Sequence, residues 1–68
     1  MKKFSELYLD VRRTLMATED AQTAALMARN IVCHFAGMSQ ETLLANRELY
    51  ASRDVCQAVE AGLARVLA

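Results

Sequence analysis

Residues 36–43 read Ala-Gly-Met-Ser-Gln-Glu-Thr-Leu, and this short stretch holds both a helix stop and a helix start. Gly37 follows an apolar, helix-periodic segment, and glycine is the preferred residue where a helix closes in a left-handed conformation. Ser39 comes two residues later, and a serine hydroxyl is a good N-cap because it accepts a hydrogen bond from a free backbone N–H. The stretch therefore predicts two helices joined by a tight turn.

The segment before this turn divides into two amphipathic helices. They are predicted over residues 4–16 and 19–36, because apolar residues recur on one face at helical spacing. In the break between them, Thr18 is the expected N-cap, and Glu19 and Asp20 suit the positive end of the next helix dipole. The apolar faces are Phe4, Leu7, Tyr8, Val11 and Leu15 in the first helix and Ala24, Met27, Ala28, Ile31 and Phe35 in the second.

The segment after the turn is predicted to hold a third helix over roughly 40–46, a loop over 47–51 and a last helix. We expect Leu49 and Tyr50 to anchor the loop and Ser52 to cap the last helix. The absence of proline and the presence of only two glycines leave few helix breakers, so the predicted fold class is all-α, a small bundle of four to five helices. The third helix carries the apolar residues Leu43 and Leu44. In the last helix, Val55, Val59, Gly62, Leu63 and Val66 share one face.

Length, charge and hydropathy exclude several classes of protein. The chain has 68 residues, which is one small domain with little room to enclose a cofactor and a substrate together. Eight Lys and Arg balance eight Asp and Glu, which excludes a strongly basic nucleic-acid arm. No apolar run approaches the roughly 18 residues of a membrane span, and Glu6 and Asp10 near the start lead us to expect no signal peptide. Two cysteines are too few for a disulfide framework, so we expect a cytoplasmic recognition module without membrane association.

Soft metal ligands and nucleophiles are limited to Cys33, His34 and Cys56. Neighbouring helical residues point about 100° apart, so Cys33 and His34 are not expected to converge on one metal or to form a nucleophilic pair. The apolar stripe of the second helix predicts an exposed Cys33 and a His34 at the edge of the stripe. Cys56 is expected to behave as a small hydrophobic residue. No catalytic, cofactor-binding or metal site is predicted in this chain.

The helix, glycine turn and following helix also resemble the helix-turn-helix family, in which the second helix enters the major groove of DNA. On that resemblance the polar residues between Gln40 and Arg47 would face bases and phosphates. A net charge of zero argues against it, because affinity for DNA comes mostly from phosphate neutralisation by Lys and Arg. An outward Cys33 also argues against it, since a small residue should pack between the two helices there. A small DNA-binding regulator is therefore the alternative function, and nucleic acid is not the expected partner.

Two leucines lie opposite the main apolar stripes of their helices. Leu9 and Leu26 are expected to pack on another helix of the bundle, or else to form a docking face for a partner. The docking interpretation gives a third functional class, a stand-alone helical interaction protein that dimerises through Leu9 or Leu26.

Residues 31–39, Ile-Val-Cys-His-Phe-Ala-Gly-Met-Ser, resemble the Leu-Leu-Ala-His-Val-Leu-Gly-hydrophobic-Ser signature of the release-factor glutamine methyltransferases, the HemK/PrmC family. The signature falls in the small N-terminal helical domain of that family. The segments 43–45 and 52–68 are similar to the family in order and spacing, so the resemblance covers nearly all of the chain. The chain departs from the family pattern at Met27, where an aspartate is usual, and at Val66, where a second arginine is usual.

The resemblance implies a specific role. The parent enzyme would transfer a methyl group from S-adenosylmethionine to the glutamine of the Gly-Gly-Gln motif in class-one peptide-chain release factors. Its Rossmann-like catalytic domain, with the cofactor site and an Asn-Pro-Pro-Tyr motif, is absent from these 68 residues, and we expect the native chain to continue past Ala68 into it. Residues 1–68 would be the single N-terminal substrate-recognition domain, without enzymatic activity or cofactor of its own.

Three polar residues beside the turn are the expected contacts with the partner. Gln40, Glu41 and Arg47 border the junction of the second and third helices and supply hydrogen-bond donors and acceptors. The sequence therefore predicts a release-factor-binding surface at this end of the bundle.

Overall fold

The computed structural model describes all residues from 1 to 68 and contains four helices and no strand. The second helix is the central one, because it packs against each of the other three. The predicted all-α bundle is confirmed, and the predicted helix limits agree with the observed ones to within two residues at each end. The helices are α1 (Phe4–Leu15), α2 (Ala21–Ala36), α3 (Gln40–Ala45) and α4 (Arg53–Leu67).

The core is formed mostly by the faces that the sequence predicted. The largest fully buried side chains are those of Leu7, Leu15, Val32 and Val59, and every buried residue of α1 lies on its predicted stripe. In α2 the most buried positions are Ala24, Ala28, Val32 and Cys33, whereas the predicted Met27, Ile31 and Phe35 are half-buried around them. Small alanines at the centre of α2 allow neighbouring helices to approach it closely.

The expectation of an exposed Cys33 is wrong. Its side chain is only 8% exposed and belongs to the core. Since α2 contacts three other helices, its buried surface is wider than one stripe and includes Cys33. The orientation of Cys33 therefore no longer argues against a helix-turn-helix arrangement. Cys56 packs against the core as a half-buried residue, as predicted.

The predicted cap residues are found at the ends of three helices, except that the N-cap of α2 is a different residue. Gly37 has a φ of 68°, in the left-handed region, and ends α2 as predicted. The hydroxyl oxygens of Ser39 and Ser52 accept hydrogen bonds from the N–H groups of residues 42 and 55, at 3.1 and 3.2 Å, so both predicted N-caps are confirmed. The N-cap of α2 is Asp20 rather than Thr18, because the Thr23 N–H donates to Asp20 Oδ1 at 2.7 Å. A carboxylate there is both an acceptor and a favourable charge for the helix dipole.

The loop after α3 is held by its backbone rather than by the two predicted anchors. Leu49 and Tyr50 are 58% and 61% exposed, so the expectation that they anchor the loop is wrong. Instead, the N–H groups of Phe4 and Ser5 donate to the carbonyl oxygens of Leu49 and Arg47 at 3.0 and 2.9 Å, and the N–H of residue 51 donates to the carbonyl of residue 2 at 2.8 Å. The first two bonds satisfy donors at the start of α1 that have no partner within the helix, and the third is donated by the loop itself.

A glycine allows α4 to pack closely against α2. Gly62 is buried, and a Cβ atom at this position would lie 2.1 Å from Cε2 of Phe35. The ring of Phe35 therefore occupies the space that any other residue at position 62 would need. This contact fixes the separation of the two helices.

Leu9 and Leu26 remain at the surface. They are 40% and 53% exposed, so neither is covered by another helix of the bundle. Leu44 of the third helix is 68% exposed, because the six-residue α3 turns only Leu43 inward. The structure thus leaves apolar residues of α1 and α3 accessible.

Candidate functional site

An open groove lies between α1 and α3 and has a volume of about 660 Å³. We call it the α1–α3 groove. Its lining residues come from α1, from α3 and the loop that follows it, and from one position of α2. They are Phe4, Ser5, Tyr8, Leu9, Arg29, Gln40, Glu41, Leu43, Leu44 and Arg47.

The α1 side of the groove follows from helical spacing. Residues four apart lie above one another on a helix, so Phe4 and Tyr8 share a face, as do Ser5 and Leu9. Phe4 is buried, while Leu9 presents its side chain to the groove. The Arg12 guanidinium lies 5.8 Å from the centroid of the Tyr8 ring, a cation–π contact that holds the ring in place.

The α3 side combines apolar and polar residues. Leu43 is buried in the core, and its neighbour Leu44 is the most exposed apolar residue of the groove. Gln40 Nε2 donates to Asn30 Oδ1 at 3.1 Å, a bond that ties the start of α3 to α2. Because the Ser5 N–H donates to the carbonyl of Arg47, the end of this side is joined directly to α1.

The charged residues of the groove have no partners within the chain. Arg29, Glu41 and Arg47 take part in none of the ion pairs, which join Lys2 to Asp10, Lys3 to Glu48 and Arg13 to Asp10. Two guanidinium groups and one carboxylate give the groove a net charge of about +1. A chain that is neutral overall therefore has a positive groove with exposed leucines.

A smaller depression of about 280 Å³ between α1 and α4 differs from the groove in the charge of its lining residues. Its Lys2 and Asp10 are paired with each other, and their hydrogen bond raises the pKa of the Lys2 ammonium. Arg13 also lies beside Asp10, at 3.8 Å. With Glu60, which also lines the depression, two basic residues balance two acidic ones, so the depression has no net charge and the α1–α3 groove is the stronger candidate for a binding site.

The three predicted partner-contact residues, Gln40, Glu41 and Arg47, all line the α1–α3 groove. Sequence reasoning did not single out Arg29, and it assigned Leu44 to the third helix without predicting that its side chain is exposed. Leu9 was recognisable from its position opposite the α1 stripe, as a possible docking residue. Nothing in the local sequence around Arg29 indicates that α2 brings it to α3.

Two observations concern the titratable groups outside the groove. Burial raises the pKa of the Cys33 thiol, which disfavours the nucleophilic thiolate. No cluster of three or more His, Cys, Asp or Glu side chains is placed to hold a metal ion. What the α1–α3 groove offers is exposed apolar area bordered by uncompensated charge, which is the chemistry of protein binding.

Comparison with known proteins identifies no relative of this chain. No protein-family model, no curated protein and no solved structure matches the chain. Separately, none of the four helices has both the length and the hydropathy required to span a lipid bilayer.

Proposed function

We propose that this chain is the release-factor recognition domain of an S-adenosylmethionine-dependent protein-glutamine methyltransferase. The observation that carries the proposal is the resemblance of residues 31–39 to the family signature, continued in order and spacing through 43–45 and 52–68. An all-helical bundle with a Gly37–Ser39 turn agrees with the helical domain that the resemblance implies.

The proposed role separates binding from chemistry. The parent enzyme would bind S-adenosylmethionine and methylate the Gly-Gly-Gln glutamine in another domain, in the cytoplasm. This domain would contribute affinity for parts of the release factor remote from that glutamine. Such remote binding lowers the barrier because it orients the reacting groups before the methyl transfer.

The α1–α3 groove is the surface we assign to this contact. It contains Gln40, Glu41 and Arg47 together with the exposed Leu9 and Leu44. Apolar anchors surrounded by polar and charged residues are typical of protein interfaces.

Calorimetry of the 68-residue chain tests the proposal. Titration with a class-one release factor should give saturable heat, and titration with S-adenosylmethionine should give none. A release factor in which the Gly-Gly-Gln glutamine is replaced should bind equally well, because the domain binds elsewhere. No heat with the release factor, or saturable binding of the cofactor, contradicts the proposal.

The second candidate function is a helix-turn-helix DNA-binding regulator, favoured by the burial of Cys33 in the core. Against it stand the zero net charge and an α3 of only six residues. Fluorescence anisotropy with a mixed-sequence duplex at low salt separates the two candidates. We expect no binding, whereas salt-sensitive binding that weakens in Arg47→Ala would favour the regulator.

A further inference from the structure

We propose that the α1–α3 groove binds a short, acidic, amphipathic helix of its protein partner. The inference rests on the proposed function for the partner's identity, a release factor, and adds the kind of segment that the groove recognises. It is argued from the backbone, the dimensions and the charge of the groove.

The backbone around the groove favours a helical occupant over an extended one. An extended peptide binds by adding a strand to free N–H and C=O groups. Here the groove lies between helices, whose backbone groups are bonded internally, and the N–H groups of Phe4 and Ser5 are already taken by loop carbonyls. A helix satisfies its own backbone and needs only side-chain contacts.

The helical stretches that line the groove are between one and two turns long. At 1.5 Å per residue, Phe4–Leu9 of α1 spans about 8 Å and Gln40–Leu44 of α3 about 6 Å, and Arg47 extends the second side beyond the end of the helix. Leu9 and Leu44 are exposed, one on each side. Apolar anchors at positions i, i+3 or i+4, and i+7 of the occupant would contact both leucines.

The charge of the groove selects an acidic segment. Arg29 and Arg47 have no carboxylate partner in the chain, and they outnumber the single carboxylate of Glu41. Carboxylates beside the apolar anchors would pair with the two guanidinium groups, which present several N–H donors each. A second copy of the chain is a poorer occupant, because a symmetric contact between two such grooves brings an excess of positive charge together.

A designed peptide of about 15 residues is the probe, long enough to be partly helical in water. It carries leucines at i, i+3, i+4 and i+7 with glutamates beside them, and a matched peptide has lysine in place of every glutamate. We expect the acidic peptide to bind the chain in a calorimetric or anisotropy titration and the basic peptide to bind at least about tenfold more weakly.

Variants of the groove locate the site. Leu44→Ala should weaken binding of the acidic peptide about tenfold, as loss of a central apolar anchor does. The double variant Arg29→Glu/Arg47→Glu should weaken it about tenfold or more and should bind the basic peptide better than the original chain does. Glu41→Gln should strengthen acidic-peptide binding about twofold, because a like charge is removed.

Arg65→Glu is the matched control, since Arg65 is exposed on α4 and does not line the groove. Its affinity should stay within about twofold of the original chain. Because Leu44 is 68% exposed, Leu44→Ala should also keep its thermal midpoint, which separates lost binding from lost folding.

Three outcomes with the chain and the peptides alone overturn the inference. They are no binding of the acidic peptide, equal effects of the groove variants and Arg65→Glu, or a dimer of the chain that Leu44→Ala dissociates. Release-factor binding that is insensitive to the groove variants also overturns it and leaves the proposed function standing. Groove-dependent peptide binding without any release-factor binding has the opposite meaning, because the groove specificity holds and the proposed function fails.

Discussion

At the scale of single residues, Gly62 shows how one missing side chain determines a helix–helix contact. Phe35 from α2 fills the position that a Cβ at residue 62 would occupy. Glycine costs about 1 kcal/mol relative to alanine inside a helix, so its presence in α4 is explained by packing and not by helix propensity.

Gly62→Ala should therefore destabilise the chain by about 1 kcal/mol, since displacement of the Phe35 ring outweighs the gain in helix propensity. In a Phe35→Ala background the same substitution should become stabilising, because only the propensity effect remains. Urea unfolding of the original chain, the two single variants and the double variant measures the free energies of this cycle. An equal effect of Gly62→Ala in both backgrounds would show that the ring does not restrict position 62.

Asp20 gives a pH dependence with a definite sign. The hydrogen bond from the Thr23 N–H, followed by one from its hydroxyl, lowers the pKa of the Asp20 carboxyl in the folded state. The stabilisation is therefore complete above the unfolded-state pKa of about 3.9, and it is lost as pH falls through the lower folded-state pKa.

Asp20→Asn keeps a capping oxygen and removes the charge. Its thermal midpoint should lie below that of the original chain at about pH 6, and the difference should vanish near about pH 2. Circular dichroism at both pH values measures it. Thr18→Ala is the control: Thr18 is not the cap, and loss of the hydrogen bond from its hydroxyl to the Leu15 carbonyl should shift the midpoint by the same amount at both pH values. A difference that grows towards low pH would contradict the assigned sign.

At the scale of secondary-structure elements, the loop after α3 acts as a cap for α1. Its carbonyl oxygens at Arg47 and Leu49 accept from the first two N–H groups of that helix. The same bonds bring the end of α3 beside the start of α1, and this proximity creates the groove.

The amides of Phe4 and Ser5 should accordingly exchange with deuterium more slowly than those of Arg53 and Asp54, which begin α4 without loop carbonyls over them. Amide exchange followed by two-dimensional NMR compares the four sites in one sample. Equal protection of the two pairs would mean that the loop is not held on α1.

The parts of the fold that depend on neighbouring residues could be predicted from the sequence. Gly37, Ser39 and Ser52 act within three residues of their own positions, so local chemistry was sufficient to place three helix ends. Longer-range features could not be predicted in this way. The burial of Cys33 depends on three helices surrounding α2, and the position of Arg29 beside α3 depends on how these helices cross.

The hydrogen bonds that hold the loop after α3 could not be predicted from the sequence either. Its apolar residues suggested that side chains anchor it, but carbonyl oxygens do so, and any sequence supplies these. For the site, the polar residues Gln40, Glu41 and Arg47 were recognisable beside the turn, whereas the exposure of Leu44 required the orientation of α3.

At the scale of the whole molecule, charge is distributed unevenly over a neutral chain. Lys2, Lys3 and Arg13 pair with carboxylates, whereas five arginines do not, and two of these, Arg29 and Arg47, lie together in the α1–α3 groove. A small domain with one positive, leucine-bearing groove is suited to recognise an acidic amphipathic surface of a larger protein, and the proposed partner is a class-one release factor.

The most direct test of this account is an NMR titration of the isotope-labelled chain with a class-one release factor. We expect the amide signals that shift or broaden first to cluster at the groove, around Leu9, Glu41, Leu44 and Arg47, while those around Arg65 change least. Unchanged spectra, or changes centred on α4, would contradict it.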